Sequence, residues 1–323
     1  MIWVGWRQQR LETLVAAAML VLLAAVAIPV GLHMASVYAH EDLGACAANV
    51  TPGPCNGSVA SFLVRFSSVN LLFVWSTLVP ALAAILLAAP FVLDLDNGTY
   101  RLSWTQSITR RRWVVTKLTL GLLATVVVAG CLAALAMWLR APLDHLNGRM
   151  DANDYDAEGI VPIADALFVF GVAVALGALW RRAVPALLVS FVVYVIGRSF
   201  MDSLLRQRLL APVKTTWLER SGGGPNLNQA LVINQFISDK SGHRIAAAVG
   251  PCISSSSSSG LLTQTQHVCA QPQALGAHVY MTAIYQPASR FWELQGVESG
   301  IVAGLGALLV LLAGWWTHQR VAR

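Results

Sequence analysis

The sequence predicts an all-α polytopic membrane protein of six transmembrane helices, with an N-terminal interfacial helix and a large extracellular segment between helices five and six. Three observations carry that expectation. Of 323 residues, 56% are hydrophobic and only 12% charged, against roughly 25% charge in a soluble domain. Mean hydropathy is +0.61. Six apolar runs, near 13–36, 68–93, 114–139, 162–180, 183–203 and 297–317, approach or exceed the roughly 20 residues that cross a bilayer. The formal net charge of +6 does not indicate nucleic-acid binding. The basic residues gather at the ends of apolar runs, where membrane topology accounts for them.

Residues 1–12 contain Trp3, Trp6, Arg7 and Arg10. Trp favours the membrane interface and Arg the lipid phosphates, so this stretch reads as an interfacial helix leading into span one. The apolar run that follows exceeds the roughly 7–15 residues of a signal-peptide core and reads as a span. Spans one to five occupy 13–203, and spans four and five are separated only by Arg181 and Arg182. In span two, Pro80 and Pro90 are expected to kink or end the helix. In span six, Gly300 and Gly304 form a GxxxG spacing that permits close helix packing.

Lys/Arg placement sets the orientation. Arg7 and Arg10 precede span one, Arg101, Arg110, Arg111, Arg112 and Lys117 lie between spans two and three, Arg181 and Arg182 join spans four and five, and Arg320 and Arg323 follow span six. All fall on one side, so both termini are expected in the cytoplasm. The opposite loop, 140–161, is acidic, with Asp144, Asp151, Asp154, Asp156 and Glu158. Cysteines agree with this orientation. Cys46 and Cys55 share the first outer loop and Cys252 and Cys269 the large outer segment, a placement that suits two local disulfides in an oxidising exterior, while Cys131 lies within span three. Within the outer segment 204–296, the apolar residues Leu227, Leu231, Ile233 and Phe236 lie close to a helical stripe. A small cap containing a helix and stapled by Cys252–Cys269 is therefore expected, ahead of span six and its tail at 297–323.

Asp94 to Lys117, between spans two and three, is the stretch richest in functional signal. Gly98 breaks span two and Thr99 can cap a new short helix. Trp104 and Ile108, four apart, share a helix face beside Arg101, giving an aromatic knob with a basic rim. Arg198 and Asp202, four apart near the outer end of span five, can pair on one face, and polar residues inside spans are functional candidates. No Walker-A pattern, HExxH or GxSxG is present, and none of Lys117, Lys214 and Lys240 follows a glycine-rich loop. The seven histidines are scattered and suggest no metal site.

GTYRLSWTQSITRRRW, after the second span, resembles the corresponding loop of type-2 ABC transporter permeases of actinobacterial kind, and the N-terminal WRQQR resembles their N-terminus. Asp94 or Asp96 stands where Glu is commoner. The resemblance implies the six-helix membrane half of an ABC exporter in the bacterial cell membrane, with a coupling helix at 97–109 resting on a separate ATPase subunit. Gly98, Thr99, Arg101, Trp104, Thr105 and Gln106 would form that contact, with Arg181 and Arg182 as a second, smaller one. The chain would carry no cofactor; ATP and Mg would sit on the ATPase. A second permease chain, identical or not, would complete the pathway. Spans two and five would line it, making Asn70, Phe73, Val74 and Thr77 pocket candidates beside Arg198 and Asp202, for an apolar or amphipathic substrate. The alternative is a membrane sensor or scaffold whose 204–296 segment binds a ligand.

Overall fold

A computed structural model describes residues 2–48, 55–69, 77–100, 109–150, 152–218, 224–225, 227, 229–244 and 280–319. The chain divides into two compact units, one of residues 1–146, 152–209 and 292–323 and the other of 147–151 and 210–291.

The first unit is helical. Its principal elements are α1 (Ile2–His40), α2 (Leu43–Ala48), α3 (Cys55–Arg65), α4 (Leu78–Asp96), α5 (Arg110–Asn147), α6 (Ala152–Ala157), α7 (Val161–Trp180), α8 (Ala183–Phe200), α9 (Arg206–Leu209) and α10 (Phe291–Gln319), whose first residue belongs to the other unit. Among the described residues, six stretches are long and apolar enough to cross a membrane: Gln9–His40, Leu78–Asp96, Arg110–Asn147, Val161–Trp180, Ala183–Leu209 and Ala288–Gln319. The sequence expectation of six spans is met. Helix α5, at 38 residues, is about 57 Å long at 1.5 Å per residue. That outreaches a hydrocarbon core of about 30 Å.

Three expectations change. No separate interfacial helix occupies 1–12; α1 runs unbroken from Ile2. Between Arg10 and Leu20 the chain has neither Gly nor Pro and is rich in Leu and Ala, so nothing interrupts helical hydrogen bonding. Pro90 does not end the second span, which continues to Asp96, and Pro80 falls in the first turn, where a missing N–H costs little. The acidic stretch 140–161 is not an open loop, because α5 extends through it to Asn147 and α6 follows.

The main core lies where α4 packs along α7 and α8. Phe91, Val92 and Leu95 of α4 meet Trp113, Val114 and Leu118 of α5 and Val169, Phe170 and Val174 of α7. Close crossings rest on glycine. A Cβ on Gly171 would sit 2.5 Å from the Gly306 carbonyl oxygen, and one on Gly306 2.8 Å from the Leu167 oxygen. Spans four and six therefore touch backbone to backbone. A Cβ on Gly300 or Gly304 would meet nothing within 4 Å among the described residues, whereas Gly306 makes the close approach. Cys46 and Cys55, Cα atoms 5.5 Å apart, form the expected disulfide between α2 and α3. Cys131 is free and exposed. Cys252 and Cys269 lie outside the described residues.

The second unit contains an antiparallel sheet in the order β1-β3-β2, from β1 (Val213–Leu218), β2 (Leu231–Ser238) and β3 (Tyr280–Gln286). Of the helical stripe expected at 226–237, Leu231, Ile233 and Phe236 lie in strand β2. A register break between Val232 and Asn234 shifts the inward face within the strand, which disguises its twofold alternation. Val232, Ile233 and Ile237 are β-branched and favour this pleated setting.

Candidate functional site

The segment between spans two and three is held at its root by a set of polar contacts. Helix α4 ends at Asp96, Asn97 donates its N–H to the Leu93 carbonyl, and Gly98 turns the chain at φ +71°. That conformation suits glycine, which has no Cβ to clash. The Thr99 hydroxyl, expected to cap the next helix, donates back to Asp94 Oδ1 at 2.8 Å. Asp94 Oδ2 pairs with Lys117 Nζ of α5 at 2.8 Å. The Lys117 side chain is buried at 3% exposure, so this pair is shielded and ties spans two and three together. Gln9 Nε2 of α1 donates to the Lys117 carbonyl at 3.3 Å. Tyr100, also buried, lies against Trp113, which stacks on Phe91.

Asp96 extends the mount to a third span. Its Oδ2 accepts the Ala183 backbone N–H at 2.9 Å. Ala183 opens α8, where the first N–H groups lack helical partners, and a carboxylate there also meets the positive end of the helix dipole. Arg181 and Arg182 immediately precede it and are exposed; Arg181 takes φ +52° to close the tight turn. Asp96, two residues before Gly98, is thus tied to the residue that follows the Arg181–Arg182 turn. Arg101, Trp104, Thr105 and Gln106 lie outside the described residues.

Of the pathway candidates, Asn70, Phe73 and Val74 also lie outside the described residues. Thr77 immediately precedes α4, and its carbonyl accepts the Tyr194 hydroxyl of α8 at 2.9 Å, which joins spans two and five. Arg198 and Asp202 do pair, at 3.3 Å, but within a larger buried network. Arg198 Nε donates to Asp156 Oδ2 at 3.0 Å and Nη1 to Glu298 Oε1 at 2.8 Å, while Nη2 contacts Asp156 Oδ1. Arg206 joins Asp156, Asp202 and Glu298 and lies 4.1 Å above the Tyr155 ring. Burial, and secondarily the Glu298 carboxylate, raise the Tyr155 hydroxyl above its ordinary pKa. A wide π turn, Met201–Leu205, joins α8 to α9. Such turns recur at functional sites, and this one leaves Arg198, Asp202 and Arg206 in mutual contact.

Asp156, Asp202 and Glu298 bring carboxylate oxygens within 4.8 Å of one another, a spacing compatible with an ion. The two guanidiniums already engage those carboxylates. A second buried cation, Arg140, meets Asp144, Asp154 and Glu158. Gln295 of α10 fastens α6 to its surroundings, donating to the Tyr155 and Glu158 carbonyls at 3.0 Å and accepting the Ile160 N–H at 2.8 Å. The sequence reading missed Tyr155, Asp156, Asp165, Arg206 and Glu298. Asp165 and Glu298 carried a usable signal, since each is an acid within or at the edge of an apolar run.

The family model for ABC-2 membrane transporter related proteins matches residues 17–206. The chain belongs to that family. The match runs from within span one to within span five and ends at Arg206, inside the network just described. The ABC-2 related chain is thus a multi-pass membrane protein of a transport family. No curated protein and no solved structure matches it.

Proposed function

We propose that this chain is the permease subunit of an ATP-driven exporter, working with a separate ATPase subunit that binds ATP and Mg. The observation that carries the reading is the mount of the 97–109 segment. Asp94, Asp96, Thr99 and Lys117 fix its root to spans two, three and five at once. A push delivered to the segment by a closing ATPase would therefore reach three spans together. Packed helices respond to such a push as rigid bodies, and tilting spans two and five would switch the pathway between inward and outward access.

In this reading Gly98, Thr99, Arg101, Trp104, Thr105 and Gln106 touch the ATPase, with Arg181 and Arg182 beside them. Two permease chains, identical or not, enclose the pathway, and the substrate is apolar or amphipathic: a drug, a peptide antibiotic or a lipid. The protein sits in the bacterial cell membrane with both termini cytoplasmic, an orientation that puts Cys46–Cys55 outside, where disulfides persist.

The test is purification from the native host in mild detergent, with mass spectrometry of what co-purifies. A stoichiometric ATPase is expected. Trp104→Ala combined with Arg101→Ala is expected to remove it while leaving the chain inserted. Normal substrate-stimulated ATP hydrolysis in the double variant would sink the coupling assignment. A co-purifying kinase or transcription regulator would favour a sensor instead.

A further inference from the structure

A cavity of about 220 Å³ lies between α7, α8 and α10, at the end of α8 remote from the clamped turn. Its walls are mostly apolar, with Phe168, Phe200, Leu205, Ile301 and Leu305 among them. Phe200, Ile301 and Leu305 are exposed, so in a bilayer the mouth opens to lipid rather than to water. Two charged side chains, Asp165 and Arg198, line it.

Asp165 is only 6% exposed. Among the described residues it makes no hydrogen bond, and its one ion contact is Arg198 Nη1 at 3.4 Å. That nitrogen lies closer to Glu298 Oε1, at 2.8 Å, and the other Arg198 donors face Asp156 and Asp202. Arg198 is therefore committed elsewhere. Across the network, four carboxylates (Asp156, Asp165, Asp202, Glu298) face two guanidiniums (Arg198, Arg206), a formal excess of two negative charges. A buried acid in a low-dielectric site is either held neutral or paired with a cation, and Asp165 is the least compensated member.

We propose that this cavity is a lateral binding site for a lipophilic cation, with the chain among the apolar walls and the positive head against Asp165. A hydrated metal ion does not suit an apolar mouth that faces lipid. An anion finds no uncommitted donor on Arg198. A cation carrying its own apolar chain enters from the bilayer and pairs with Asp165 in its ionised form. Drug-sized ligands fill roughly 300–1,000 Å³, so the volume favours a small or single-chain amphiphile. As a statement about transported substrate, this narrows the exporter reading and rests on it; as a statement about binding, it stands alone.

The experiment uses the full chain in nanodiscs, without an ATPase, and a decyltrimethylammonium probe bearing a photoactivatable diazirine at the chain end. Labelling is mapped by mass spectrometry. Labels are expected on α7, α8 and α10 peptides lining the cavity, displaced by unlabelled decyltrimethylammonium and not by decyl sulfate. Asp165→Asn, nearly isosteric, is expected to reduce labelling about tenfold, a loss of about 1.4 kcal/mol in affinity. Ile301→Trp, which fills the mouth and leaves the charge intact, is expected to do the same. Unchanged labelling in both variants, or equal displacement by decyl sulfate, overturns the proposal. If Asp165→Asn fails to fold, Ile301→Trp decides alone. A negative result leaves ATPase co-purification as it was, so failure here and failure of the exporter reading are distinguishable.

Discussion

Glu298 is fully buried, and its oxygens accept from Arg198 and Arg206. Removing one partner of such a set leaves a stranded charge. Arg198→Ala is therefore expected to destabilise the chain by about 3–5 kcal/mol, visible as a lower thermal midpoint in detergent. Combining it with Glu298→Ala should return part of the loss, because one carboxylate of the enlarged acidic excess goes too. In the sheet unit, Asp239 Oδ1 accepts from the Ser241 hydroxyl and from the His243 and Ser241 N–H groups. The Ser241 hydroxyl contributes most, followed by the His243 N–H, and together they hold the Asp239 carboxyl below its ordinary value. A depressed folded value means the turn's contribution is complete above the unfolded value of about 3.9 and fades as pH falls through the folded one. Ser241→Ala should move the carboxyl's titration upward, as followed by NMR of that carboxyl.

Among the elements, α7 and α10 offer the cleanest contrast. Gly306 has backbone of α7 within 2.8 Å of where a Cβ would stand, whereas Gly304 meets nothing. Gly306→Ala is expected to cost about 1–3 kcal/mol by overpacking. Gly304→Ala should be neutral or gain up to about 1 kcal/mol from helix propensity; thermal melts of the two variants check both. The same pair marks what hydropathy can and cannot read. The six spans were legible because apolar length is a local property. Which glycine touches a neighbour depends on how two distant helices cross, and spacing alone does not carry that. Asp156 read as a loop residue because its cationic partners, Arg198 and Arg206, stand well apart from it in sequence. The clamped turn was half legible. Gly98 and Thr99 announced it, but the roles of Asp96 and Lys117 emerge only when Ala183 and Asp94 are beside them.

For the whole molecule, the expected orientation has a direct check. A membrane-impermeant maleimide on intact cells should label Cys46 and Cys55 only after reduction. The proposed Cys252–Cys269 bridge predicts the same behaviour for that pair. Cys131, near the middle of the long third span, should stay unlabelled by the impermeant reagent throughout. Labelling of Cys46 and Cys55 only after the cells are opened would invert the topology.

Glu298 and Gly306 also bear on how the chain is made. Both stand on the last span, some 90 residues downstream of Arg206, yet one completes the ion network and the other the crossing of spans four and six. At about 5–20 residues per second, a ribosome needs roughly 5–20 s to travel that distance. For that interval Arg198 and Arg206 wait at the insertion machinery without one of their carboxylate partners, and the fourth span waits without its neighbour. Nascent chains stalled just short of Glu298 should therefore be retained there and be unusually sensitive to quality-control proteases, and those stalled beyond Gln319 should be released.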